Sequence, residues 1–293
     1  MNVGNALKIT SLACAAGVLL RVVHMLFYYD YETGFYTNNG LMAWVCTGFV
    51  ILSSIFLVIM CLVDKGSLAP YTEQKRKGLG VITAISAIVL IASAVFQIKN
   101  HSEIIATAQP GTFASPMGIY TVFAVFCAIF GIVQILAAMD FFSGKGILLK
   151  APLIYLLAVL WGLAYLMMIY VFYAKSANFT ENFFPIVGGA LLLLTVFYIC
   201  KLFAGVNDKK TSKRVYMFGI PAAIVNISYT LGNLVLLVFN KTYSGEIPAE
   251  IQVANLVVSV FVLIFLITLK RYGAGKDIAA ETTNSTRSAR RFK

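Results

Sequence analysis

Charge is what this sequence has least of. Only 12% of its 293 residues are Asp, Glu, Lys or Arg, against roughly a quarter in a soluble domain. Carboxylates are scarcest where the chain is most apolar: no Asp or Glu is expected deep in any long apolar run, Asp140 lying at the end of one. That absence argues against proton transfer through an Asp or Glu relay. It argues equally against an intramembrane hydrolase, which needs paired carboxylates or a nucleophile with its base. There are two histidines, His24 within an apolar run and His101 outside one. No H-E-x-x-H helix, phosphate loop or G-x-S-x-G elbow is found. The five cysteines, Cys14, Cys46, Cys61, Cys127 and Cys200, show no C-x-x-C spacing and all fall in apolar runs, so they read as small apolar fillers rather than a redox or metal site. No catalytic activity, cofactor or metal is expected.

What is abundant is apolar surface. Residues of the AVILMFWYC set make up 60% of the chain, and they cluster in eight runs near the roughly 20 residues that cross a bilayer as a helix. These runs are Ile9 to Tyr29, Leu41 to Val63, Leu79 to Ile98, Ile119 to Asp140, Leu153 to Tyr173, Phe184 to Phe203, Tyr216 to Phe239 and Ile251 to Leu269. They lack the period of two that marks membrane strands. The fold class is therefore all-α, a polytopic transmembrane bundle of about eight helices, with residues 1–269 forming one membrane domain. Residues 270–293 read as a polar, basic tail without fixed structure.

The net charge of +11 is distributed by side rather than by patch. Eight crossings from an inner N-terminus place nearly all Lys and Arg in the inner connections and the tail. Only Lys99, Lys175, Lys241 and the intramembrane Arg21 lie elsewhere. Such asymmetry over short loops puts both termini in the cytoplasm. The basicity then serves orientation and contact with anionic lipid, and no nucleic-acid partner is expected.

Arg21 is the most costly residue in the chain. Twelve residues after Ile9, it lies about 18 Å along its helix, past the bilayer midpoint. A buried Arg there costs roughly 2.5–3.5 kcal/mol on insertion scales and is expected to face the bundle interior and be paired. His24 shares its face. Asn226, Thr230 and Asn233 form a polar stripe on the seventh span, which Gly219 and Pro221 are expected to kink. Arg21, His24, Asn226, Thr230 and Asn233 are thus a candidate ligand-binding pocket for an anion, a carboxylate or a lipid headgroup. The alternative is that Arg21 caps backbone carbonyls while the asparagines join helices. Gln252, Asn255 and Ser259 on the eighth span, and Thr83, Ser86, Ser93 and Gln97 on the third, read as bundle-facing sides.

The first outer loop adds Tyr28, Asp30 and Glu32, an aromatic and acidic group that would suit a cation, although Phe27 to Tyr29 also fit an interfacial aromatic belt. A span containing Arg, followed by the D-x-E-T-G-F pattern Asp30-Tyr31-Glu32-Thr33-Gly34-Phe35, resembles uncharacterised multi-pass membrane proteins of bacteria. The resemblance implies a bacterial cytoplasmic membrane location and no chemistry. Two functions fit these residues: a small-solute or lipid-handling permease using the Arg21 region, and a non-catalytic sensor or assembly subunit acting on a protein partner through its helices or tail. A topology with an even number of crossings makes one firm demand. Reporters fused at either terminus should both report the cytoplasm, green fluorescence present and alkaline phosphatase inactive; an active phosphatase after Lys293 would require an odd number of spans.

Overall fold

Lipid is an apolar solvent, so a chain dissolved in it must satisfy every backbone polar group within its own elements and turn its polar side chains inward. The computed structural model follows that rule. It describes residues 3–63, 75–107, 116–173, 179–205, 209–241, 243 and 246–290. The helices are α1 (Val3–Phe27), α2 (Leu41–Val63), α3 (Lys77–Thr107), α4 (Pro116–Ser143), the single turn α5 (Ile147–Lys150), α6 (Leu153–Met168), α7 (Phe179–Phe203), α8 (Lys209–Val238) and α9 (Ala249–Arg290). All but α5 are long and apolar enough to cross a membrane, α6 together with its continuation to Tyr173. The protein is a multi-pass membrane protein with a helical bundle fold, and no named strand occurs among the described residues.

Side-chain placement explains the order of packing. α8 is the least apolar of the eight spans and the most enclosed. Every residue from Pro221 to Thr230 is buried, because α8 is flanked by α1, α2, α7 and α9. A helix buried all round has no lipid-facing stripe, so its asparagines and threonines meet protein on every side. α2 is the least enclosed, with Leu52, Ile55, Phe56 and Ile59 exposed where the bilayer would lie. The inward sides read from the sequence hold: Thr83, Ser86, Ser93 and Gln97 on α3, and Gln252, Asn255 and Ser259 on α9, are all buried.

Four features of the helices go beyond the apolar runs. α6 ends in a π-helical turn over Ile169–Tyr173. α8 continues as one helix across Pro221. α7 begins at Phe179, five residues before the apolar run at Phe184, and its second turn carries Pro185. Beyond Lys270, α9 runs on as helix to Arg290 over residues whose polarity suggested an unstructured tail. Helix propensity is local, and Ala279, Ala280 and Ala289 favour it.

α3 and α4 approach closely at Gly131. A Cβ there would fall 2.6 Å from Ile91 Cγ1 and 3.1 Å from the Ala87 carbonyl, a backbone atom that cannot turn aside. Gly131→Val should therefore force the pair apart and lower stability by about 1–3 kcal/mol, read as a reduced thermal midpoint in detergent. Gly48, with nothing within 4 Å of its Cβ position, supplies the contrast: Gly48→Ala should be neutral or slightly stabilising.

Candidate functional site

Arg21 has a carboxylate partner. It stands six residues before the outer end of α1, at Phe27, and the first turn of α7 brings Glu181 to it. The guanidinium grips the carboxylate with two parallel bonds, Nη1 to Oε1 at 2.7 Å and Nη2 to Oε2 at 2.5 Å, the bidentate geometry that makes such pairs strong. Asn233 Oδ1 accepts from Nε at 3.2 Å and from Nη2 at 3.0 Å. The Tyr229 ring, with its centroid 5.2 Å from Arg21 Cζ, and the Phe184 ring, at 5.8 Å, add aromatic faces. α8 comes this close because Gly232 has no side chain; a Cβ there would sit 2.6 Å from Arg21 Cγ. Both charges are buried, Arg21 at 1% exposure, and a carboxylate in the first turn of α7 also lies at the favourable end of the helix dipole.

This corrects the expectation that no carboxylate reaches membrane depth. A span drawn from Phe184 leaves Glu181 in a loop, whereas the helix takes it into the bundle. The anion pocket around Arg21 is consequently filled by the protein's own anion.

The first outer loop closes over the pair. Tyr36 donates to Glu181 Oε1 at 2.7 Å, and its ring lies 4.8 Å from the His24 ring. His24 is 1% exposed, and neither of its ring nitrogens has a hydrogen-bond partner among the described residues. Tyr36 is held in place by a tight reversal in which Tyr29 and Tyr36 form a β-bridge. Asp30 Oδ1 accepts from the Glu32 amide and Oδ2 from the Thr33 hydroxyl, and Gly34 takes a positive φ of 75° that favours glycine. The Thr33 hydroxyl, first among these contacts, holds the Asp30 carboxyl below its ordinary range. Both Asp30 carboxylate oxygens thus serve the turn. Glu32 is exposed and Tyr28 half-buried, so the acidic and aromatic group does not converge on one point. The loop's cation is internal, Lys241 Nζ standing 5.0 Å from the Tyr31 ring centroid.

Of the five residues proposed for the pocket, Arg21, His24 and Asn233 come together and Asn226 and Thr230 do not. From Glu181 to Gly188 on α7, and from Asn233 to Asn226 on α8, is seven residues in each case, about 10 Å deeper. There Asn226 Nδ2 donates to the Gly188 carbonyl at 2.9 Å and the Ala222 carbonyl at 2.8 Å. Asn226 Oδ1 accepts from Asn255 Nδ2 at 2.9 Å, and Asn255 also reaches the Tyr165 hydroxyl. Thr230 bonds back to the Asn226 carbonyl.

A third group continues from the upper level. Asn233 Nδ2 donates to the Tyr243 hydroxyl at 3.1 Å, which also meets the Tyr229 hydroxyl at 3.1 Å; burial pushes the Tyr243 phenol well above its ordinary range. The Tyr243 amide donates to Glu246 Oε2, and Gln252 Nε2 to Glu246 Oε1. Burial holds the Glu246 carboxyl above the usual carboxylate range, against the lowering effect of Gln252. Glu181, Tyr36, Tyr229, Tyr243 and Glu246 were all missed from sequence. Glu181 carried one signal, being the sole acidic residue between Asp140 and Asp208.

No protein-family model matches this chain, and no curated protein or solved structure matches it.

Removing one partner of a buried pair leaves the other charge uncompensated, whereas replacing both with apolar residues of similar size is often tolerated. Arg21→Met alone should cost about 3–5 kcal/mol of stability, and Arg21→Met with Glu181→Leu should recover most of it. A double-mutant cycle on thermal unfolding in detergent reads the coupling; additive losses would contradict the pairing.

Proposed function

We propose that the protein is a non-catalytic permease for small polar solutes in the bacterial cytoplasmic membrane, with the Arg21–Glu181 cluster as its outer closure. The observation that carries this reading is the placement of the pair. A fully desolvated ion pair contributes little net stability and is often replaceable by apolar packing. This one stands at the outer end of the bundle, joins α1 to α7 and α8, and is roofed by Tyr36 of the outer loop. Beneath it lies a separate polar level at Asn226 and Asn255. A charge pair that can open is a two-state element, and polar groups at membrane depth mark solute paths. Support for the location comes from the basic asymmetry of the loops and from the D-x-E-T-G-F resemblance.

Opening is measurable without knowing the solute. With the five native cysteines replaced, Thr230→Cys places a single thiol between the two polar levels. Its reaction with a membrane-impermeant maleimide added from the outer side should be slow with the pair intact. Glu181→Gln should speed it about tenfold or more, the effect of withdrawing about 1.4 kcal/mol from the closed state. A folded Glu181→Gln protein that reacts at the original rate would rule out the closure.

A further inference from the structure

Two buried amide oxygens on α9 have no donor among the described residues. Gln252 and Asn255 are three residues apart and share a face, and each is 1% exposed. Their neighbours dictate which atom each presents. Asn226 gives its amide nitrogen to two backbone carbonyls, which only accept. Its oxygen is therefore what meets Asn255, and Asn255 answers with Nδ2. Asn255 Oδ1 is left on the other side without a partner. Gln252 is locked in the same way, since Nε2 donates to the Ile247 carbonyl at 2.6 Å and to the Glu246 carboxylate at 3.2 Å. Gln252 Oε1 then has no donor. Turning either amide would set oxygen against oxygen.

A buried acceptor without a donor costs about 1–3 kcal/mol. Here two stand one turn apart, next to a half-buried carboxylate that has no ion-pair partner among the described residues. The nearby guanidinium of Arg21 is already neutralised by Glu181. What these two amides leave unmatched is thus two acceptors, beside one carboxylate.

We propose that Glu246, Gln252 and Asn255 form a binding site for a small monovalent cation, an alkali ion or ammonium. Carboxylate and amide oxygens are the ligands such hard cations take, and a single carboxylate matches a single positive charge. As the solute or coupling ion of a carrier, this cation rests on the permease reading; the binding itself does not.

Full-length protein in nanodiscs of neutral lipid tests the site. Its thermal midpoint is followed at constant ionic strength in sodium, potassium, ammonium or choline chloride. At least one small cation should raise the midpoint saturably, as ligand linkage requires, and choline should not. Glu246→Gln, which keeps the shape of a half-buried side chain, and Gln252→Met should each raise the half-saturating concentration about tenfold or more, the low end for a residue supporting a metal site. Because Glu246→Gln is conservative, the comparison stands even where Gln252→Met fails to fold. Equal midpoints in all four salts, or a cation response unchanged by Glu246→Gln, overturn the site. A cation-specific shift together with a Thr230→Cys thiol indifferent to Glu181→Gln keeps the site and removes the permease; the reverse pair of results keeps the permease and removes the site.

Discussion

A guanidinium and a carboxylate facing each other inside an apolar bundle constrain nearly everything around them. Neither can be left alone at that depth, so α1, α7 and α8 have to meet at one level, and α8 has to approach without a side chain at Gly232. Five guanidinium donors and a carboxylate's lone pairs also demand more partners than one another. Asn233, Tyr36 and the rings of Tyr229 and Phe184 supply them. The outer loop is folded tightly for the same reason: the Asp30 turn and Gly34 carry Tyr36 back over Glu181. What resembles a ligand-recruiting acidic loop is better understood as the lid of an ion pair.

The polar residues descend from that pair in a series of two hydrogen-bonded groups. Asn233 hands on to Tyr243, Tyr243 to Glu246 through its amide, Glu246 to Gln252, and Asn255 to Asn226. The series runs along α8 and α9, the two most enclosed spans. Donors are consumed along it faster than acceptors, which is why its unmatched atoms include the amide oxygens of Gln252 and Asn255. The sign of that imbalance is set by geometry, because each amide is oriented by a neighbour that can only accept.

The fold class was legible in the sequence because apolar runs of bilayer length leave a chain little choice. The inward sides of α3 and α9 were legible too, since Ser, Thr, Asn and Gln in a span must turn from lipid. The partner of Arg21 was not. Apolarity marks where a helix meets lipid, not where it starts, and α7 starts a turn earlier with Glu181 shielded by protein. Which asparagine of the stripe meets Arg21 was hidden for a related reason. Counting from the inner ends, which overhang the membrane, would match Arg21 to Asn226. Counting from the outer ends puts Arg21 six residues from Phe27 and Asn233 five from Val238, the match the structure makes. Tyr36 and Tyr243 come from connections whose path no spacing rule describes.

The enclosure of α8 also bears on how the chain is assembled. A span with buried residues on every side and the lowest apolarity of the eight is the one with least affinity for lipid by itself. Among the eight spans it comes seventh in chain order, so it emerges from synthesis after α1, α2 and α7 and before α9. α8 can thus partition directly into a waiting protein cleft, its asparagines passing from water to partners with little exposure to hydrocarbon, and α9 then seals the open side. The order of the helices along the chain is in this sense an order of solvents, with the most polar span delivered once the earlier ones have made a place for it.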